Sequence, residues 1–100
     1  MNPTQYAIYI GACEEVEIRI VLFDIAENNN ISRSDAFKLL QSEIDFIISR
    51  DDIYLIYSER LYDQENCQVI DKNKLKELTI DDVEFNELGP FYYLSNMPSI

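Results

Sequence analysis

The fold is decided by residues 22–59, which read LFDIAENNNISRSDAFKLLQSEIDFIISRDDIYLIYSE. Ser32 is a residue type that favours the N-cap position of a helix, and after it apolar side chains recur with the helical period. These side chains are Ala36, Phe37, Leu40, Ile44, Ile47 and Ile48. The pattern predicts an amphipathic helix over residues 32–50, which can break into two near Gln41–Ser42.

A strand is predicted directly after this helix, at residues 53–59. Its two sides are both apolar or aromatic, since side chains alternate along a strand. Ile53, Leu55 and Tyr57 fall on one side, and Tyr54 and Ile56 on the other. We therefore expect this strand to be central in its sheet or covered on both faces. Val69–Ile70 and residues 91–95 (FYYLS) are predicted to supply further strands.

Two segments precede the stretch that decides the fold. Residues 14–28 are predicted to form a mostly buried helix, with Glu14 and Glu15 at its N-terminus and asparagines at its end. Residues 1–13 carry no charge, and a short helix from about Pro3 or a buried strand fits them equally well. Gly11 is predicted to end this first element.

The remaining segments are shorter. Residues 60–68 read as a polar loop, and residues 71–78 as one or two helical turns opened by Asp71. Residues 79–88 are acidic, with Ile80, Val83 and Phe85 as apolar anchors, and we expect residues 96–100 to fray. The chain is thus predicted to be a single α+β domain over residues 1–100, with about three helices packed on a small antiparallel sheet.

Composition excludes several classes of function. Lys and Arg number 8 against 19 Asp and Glu, which gives a formal net charge of −11, and the sequence has no histidine. Without an imidazole, catalytic triads, Cys–His sites and His-metal sites are excluded. The acidic excess disfavours nucleic acids and anionic membrane surfaces as direct partners. We expect no enzymatic activity.

Metal and redox sites have equally little support in the sequence. Cys13 and Cys67 are far apart, form no CxxC pair, and are expected to be reduced. Residues 63–66 alternate acidic and amide side chains but lack the glycine of a calcium loop. We expect neither metal nor cofactor. The N-terminal residues lack the basic region of a signal peptide, and no run approaches the roughly 18 apolar residues of a membrane span, so a cytoplasmic location is expected.

The candidate binding residues are an acidic run and two tyrosines. The run, Glu77, Asp81, Asp82, Glu84 and Glu87, contains no Lys or Arg. It predicts a surface that docks a basic protein, although such runs are also common on solvated loops. Tyrosine is enriched in interfaces, and of the seven tyrosines we nominate Tyr62 and Tyr92 as anchors beside these acids. Packing within the sheet is the alternative role for both.

The sequence resembles two known groups of proteins, one in its order of predicted elements and one in its size and charge. The order of predicted helices and strands over about residues 14–95 resembles that of winged-helix proteins, which usually read DNA with the last helix. In this chain, Arg33, Lys38 and Arg50 of that helix are outnumbered by acids, so DNA reading is not expected. The small acidic chain also resembles the immunity proteins of bacterial polymorphic or contact-dependent toxin systems. That resemblance implies a toxin domain, such as a nuclease, as a stoichiometric partner and no catalysis.

Two other functions remain open at this point. One is a phage-type nucleic-acid mimic whose carboxylates block a DNA-binding enzyme. The other is a structural or regulatory winged-helix protein that forms a homodimer through the uncharged residues 1–13. The apolar side chains of that segment need cover, which a second copy would supply.

Overall fold

The computed structural model describes residues 1–84 and 87–100, and these residues form an α+β fold, as predicted. The α-helices are α1 (Pro3–Glu14), α2 (Ile18–Asn29), α3 (Arg33–Ser42), α4 (Ile44–Ser49) and α5 (Ile80–Glu84). The strands are β1 (Tyr54–Ser58), β2 (Gln68–Ile70) and β3 (Phe91–Ser95), and a 3₁₀ helix covers Lys72–Lys76. Phe85, predicted as an apolar anchor, lies outside the described residues.

The first segment is a helix because its start is capped from both directions. The Asn2 side chain accepts a hydrogen bond from the Gln5 amide at 2.7 Å, and the Gln5 side chain accepts one from the Asn2 amide at 3.1 Å. Pro3 occupies the first helical turn, where its missing N–H costs nothing. This reciprocal capping box excludes the strand alternative for residues 1–13.

The connection between α1 and α2 differs from the prediction in two ways. Gly11 does not end α1, since the helix continues to Glu14. Glu14 and Glu15 therefore lie at the end of α1 and not at the start of α2, because Glu15 adopts a left-handed conformation (φ 57°) that terminates α1. Gly11 is instead a contact point between the helices: a Cβ added to it would lie 2.5 Å from a Val21 methyl carbon.

We predict that Gly11→Ala destabilises the protein. Alanine is the better helix former by about 1 kcal/mol, but the clash with Val21 is of the kind that costs about 1–3 kcal/mol. A net loss of stability is therefore expected in urea denaturation, with Cys13→Ala, which adds no atom to the α1–α2 contact, near wild type. A Gly11→Ala protein more stable than wild type would show that the helices do not approach so closely.

The long predicted helix over residues 32–50 breaks, as anticipated, between α3 and α4. The break falls at Glu43, whose backbone leaves helical geometry. Its carboxylate accepts hydrogen bonds from the Asn2 side chain at 3.0 Å and the Gln5 side chain at 2.8 Å. The break is thus tied to the capped start of α1.

The three strands pair antiparallel in the order β2-β1-β3. One face of β1 packs into the helical core through Leu55, opposite Leu94 of β3. The other face packs through Ile56 and Tyr93 into a smaller cluster that includes Ile100. Both faces of the central strand are covered, as predicted. The expected fraying of residues 96–100 is wrong, because Ile100 is buried and the Ser95 hydroxyl donates a hydrogen bond to the Ser99 carbonyl.

Lys72 joins the 3₁₀ helix to the end of α4. Its ammonium group donates hydrogen bonds to the carbonyls of Ile47, Arg50 and Ile53, at 2.8, 2.7 and 3.0 Å. The last carbonyls of a helix have no partner within the helix and carry partial negative charge, so a cation there is favourable. Lys72 thereby fixes the turn that leads from α4 into β1.

We predict that Lys72→Met lowers the free energy of unfolding by about 2 kcal/mol, since hydrogen bonds to charged groups each contribute about 1.5–3 kcal/mol. The matched control is Lys76→Met, because Lys76 is exposed in the same 3₁₀ helix and should cost less than about 0.5 kcal/mol. Urea denaturation of both variants measures the difference. Equal midpoints would contradict the role assigned to Lys72.

Candidate protein-binding surface

Two tyrosines meet on the sheet face that continues from the helical core. Tyr57 of β1 lies directly opposite Tyr92 of β3, and their rings meet edge to face with centroids 5.7 Å apart. Both are half-buried, and burial raises the pKa of Tyr92. Its phenol therefore stays neutral at physiological pH and can donate a hydrogen bond to a partner.

The two rings form part of an open groove. A cavity of about 550 Å³ is lined by Tyr57, Glu59, Gln68, Ile70, Asp71, Lys74 and Tyr92. A second cavity, of about 380 Å³, shares Tyr57, Glu59 and Gln68 with it and is further lined by Arg60, Asp63 and Asn66. We call this continuous surface the tyrosine groove. It combines aromatic rings with carboxylates, which is a composition suited to a basic protein partner.

Two carboxylates of the groove, those of Asp63 and Asp71, are held in the charged form. Hydrogen bonds from Asn66 lower the pKa of Asp63, and hydrogen bonds from the backbone and side chain of Asn73 lower the pKa of Asp71. Lys74, the cation beside Asp71, lies 3.3 Å from the Glu77 carboxylate. The positive charge of Lys74 is therefore partly compensated outside the groove.

The structure divides the predicted acidic run into two groups. Glu77, Asp81 and Glu87 are exposed. Asp82 caps the start of α5 by accepting hydrogen bonds from the Thr79 amide and hydroxyl, at 2.7 and 3.1 Å. Glu84 is mostly buried, with 12% of its side chain exposed, and it is paired with Arg33. The run is therefore not one continuous docking surface.

Tyr62 and Tyr92 lie apart. The backbone amide of Tyr62 donates a hydrogen bond to the Tyr93 hydroxyl at 2.8 Å, and the two rings lie 5.2 Å apart. Since successive strand residues point to opposite faces, Tyr93 and its neighbour Tyr62 lie on the face opposite Tyr92. The charges that act on Tyr62 are those of Glu17 and Arg19, whereas those of Lys74 and Asp82 act on Tyr92. Of the two nominated tyrosines, only Tyr92 lies near the acidic run.

Arg33 connects three helices, α2, α3 and α5. Its guanidinium donates to the Glu84 carboxylate of α5 and to the Arg19 carbonyl at 3.4 Å, and it lies 5.2 Å from the centre of the Phe23 ring of α2. The second Glu84 oxygen is buried and has no hydrogen-bond partner in the described part of the chain. Arg33 is thus the cation that allows this carboxylate to be buried.

We predict that Arg33→Ala destabilises the protein by about 2–3 kcal/mol, because it leaves the Glu84 carboxylate buried without its cation. Restoring neutrality with Arg33→Ala/Glu84→Gln should recover part of that loss, giving a coupling above about 1 kcal/mol. Lys38→Ala, on the same helix and in an exposed ion pair with Asp35, is the control and should cost less than about 0.5 kcal/mol. If the loss of stability in the double variant equals the sum of the losses in Arg33→Ala and Glu84→Gln, the coupling is ruled out.

Most apolar side chains of the uncharged residues 1–13 are at least half-buried against the rest of the fold. Ile8 and Ala12 of α1 are fully buried in the core, whereas Tyr6 and Cys13 are exposed. The need for a second copy to cover this segment is therefore reduced, and the homodimer stays a prediction.

The residues that line the groove beside Tyr92 were not predicted as binding residues, although the sequence carries one signal for them. Tyr57 and Glu59 alternate with Leu55 in the strand predicted over residues 53–59, so they were expected on the face of Leu55. What the sequence does not show is that β2 brings Gln68 to that same face, and that Asp71, directly after the strand, lines the same cavity. The loop between β1 and β2 then adds Asp63.

Within residues 1–84 and 87–100, no group of three or more Cys, Asp or Glu side chains is placed to hold a metal ion. In the same residues no helix has the length and apolarity required to cross a bilayer.

Comparison with known proteins gave no match to any family model, curated protein or solved structure. A function can consequently be inferred only from the geometry and charge of this chain.

Proposed function

We propose that this protein is a non-enzymatic binding protein that neutralises a basic partner protein by covering its surface with the tyrosine groove. The observation that carries the proposal is the Tyr57–Tyr92 pair, 5.7 Å between ring centres, in a groove rimmed by Glu59, Asp63 and Asp71. The edge-to-face pair offers a large apolar surface with polar tips, the feature that makes tyrosine frequent in binding hot spots.

The charges of the chain would act before contact is made. A formal net charge of −11 attracts a cationic protein from a distance, and the exposed carboxylates near the groove orient it. Asp81 on α5 is one of these, next to Asp82, whose charge acts on Tyr92. Steering by the acids and anchoring by the tyrosines are thus assigned to one side of the molecule.

Within this class, the proposed role is that of an immunity protein that inhibits a toxin domain, such as a nuclease, in the cytoplasm. The supports are the small size, the acidic excess and the absence of histidine. A nuclease domain presents a basic surface to its substrate, which a negatively charged protein with aromatic anchors can cover. The nucleic-acid mimic has less support, because Asp82 and Glu84 serve internal contacts and interrupt the row of carboxylates.

The test begins with affinity capture from a lysate of the source cells at low salt, followed by elution at high salt. The captured protein is purified, and its association with Glu59→Lys/Asp81→Lys is measured by stopped flow. We expect association at low salt to slow by at least about tenfold, with the effect largely lost at about 0.5 M salt.

The matched control is Glu14→Lys/Glu27→Lys, which changes the net charge equally at exposed positions on α1 and α2. Its association rate should change by less than about threefold, since only the overall charge has changed. Equal slowing of both double variants would place the docking surface elsewhere. Failure to capture any basic protein that elutes with salt would contradict the proposed function itself.

A further inference from the structure

The two outer edges of the sheet differ in their cover. Along β3, the Leu94 amide donates to the Val16 carbonyl at 3.1 Å, and beyond the strand the Asn96 amide donates to the Ala12 carbonyl at 2.9 Å. A bridge between Glu17 and Tyr93 completes this closure. Along β2, by contrast, the backbone pairs only with β1 within the described residues. An unpaired edge is a template for another strand.

The open edge is also accessible to a partner. Gln68 and Val69 are exposed, and Val69 retains 45% of its surface. Residues of β2 line both cavities of the tyrosine groove and a further cavity of about 410 Å³ formed with Asp51, Tyr54 and Lys72. Recessed space thus follows β2 over its whole length.

The charges along this edge favour a basic occupant. Four carboxylates line the three cavities, and in the described residues no Lys or Arg lies within ion-pair distance of them. They are Asp51, Glu59, Asp63 and Asp71. Three cations line the same cavities: Lys72 is bound to three backbone carbonyls, Lys74 is paired with Glu77, and Arg60 acts on Asp63 alone among the four carboxylates through its charge.

We propose that β2 binds an extended Lys- or Arg-bearing segment of the partner protein, which joins the sheet as a fourth strand. This inference rests on the proposed function and specifies how the partner is recognised. Main-chain hydrogen bonds to β2 would supply affinity, and side-chain pockets would supply specificity, as in other cases of strand addition.

The alternation of the strand determines what the segment must carry. Cross-strand neighbours point to the same face of a sheet. Side chains of the segment beside Gln68 and Ile70 therefore face the tyrosine groove, where Glu59 and Asp71 accept a basic group. The side chains between them face Val69, where an apolar group fits. The expected segment alternates basic and apolar residues.

A second copy of the chain fits this edge less well. Antiparallel pairing of two β2 strands about Val69 would place Cys67, and no cation, directly opposite Asp71. Two chains of net charge −11 also repel each other. The partner segment is therefore the occupant to which the charges point.

The test uses short random peptides displayed on phage and selected for binding to the full chain. We expect the enriched peptides to carry Lys or Arg at alternate positions. A synthetic peptide of the enriched sequence should bind Val69→Lys at least about tenfold more weakly than wild type, while Ile20→Lys, an equally charged change at an exposed apolar residue of α2, binds normally. Hydrogen exchange of the unmodified protein should slow at backbone amides of residues 68–70 when the peptide binds.

The inference is overturned if the enriched peptides lack that alternation or if the selection enriches no peptide. It is also overturned if hydrogen exchange at residues 68–70 does not change when the peptide binds. A dimer of the free chain that Val69→Lys abolishes would identify the second copy as the occupant and would equally overturn it. The proposed function fails separately, when no basic protein is captured from the lysate. A captured protein whose affinity is the same for wild type and Val69→Lys would leave the function standing without strand addition.

Discussion

The hydrogen bonds between β3 and the α1–α2 connection determine which edge of the sheet is closed. Val16 and Glu17 meet β3 in the connection between α1 and α2, two helices that pack closely at Gly11, whose missing side chain accommodates Val21. With that edge closed and the helices on one face, β2 is the remaining open edge. The tyrosine groove lies beside it because β1 joins the two outer strands in register. The proposed binding surface is thus a consequence of how the first two helices meet the last strand.

Much of the fold follows from local periodicity, which the sequence displays directly. The apolar stripe from Ala36 to Ile48 predicts α3 and α4, and the two apolar sides of residues 53–59 predict a strand covered on both faces. Residues 1–13 were ambiguous by periodicity alone, yet Asn2, Pro3 and Gln5 carry the signature of a helix start. The left-handed Glu15 had no comparable signal, because glycine or asparagine, and not glutamate, is the residue type that usually ends a helix in this conformation.

The candidate site was harder to predict, since it depends on contacts between distant residues. Neighbouring acids of the run from Glu77 to Glu87 look equivalent in sequence, but Glu84 finds its cation 51 positions away in Arg33, and Asp82 turns back to Thr79. Tyr57 and Tyr92 meet only through the β1–β3 register. Sequence reasoning could identify the residue types of an acidic, tyrosine-bearing surface, whereas its location depends on the sheet topology.

The most direct measurement of the central claim is NMR mapping of the isotope-labelled chain titrated with its purified basic partner. We expect the amide shifts to concentrate on β2, on residues 57–59 and around Asp71. The amides on the exposed side of α1 and those of Ile20 and Phe23 on α2 should not shift. Shifts confined to α1 or to the α2 surface around Phe23, with β2 unaffected, would contradict it.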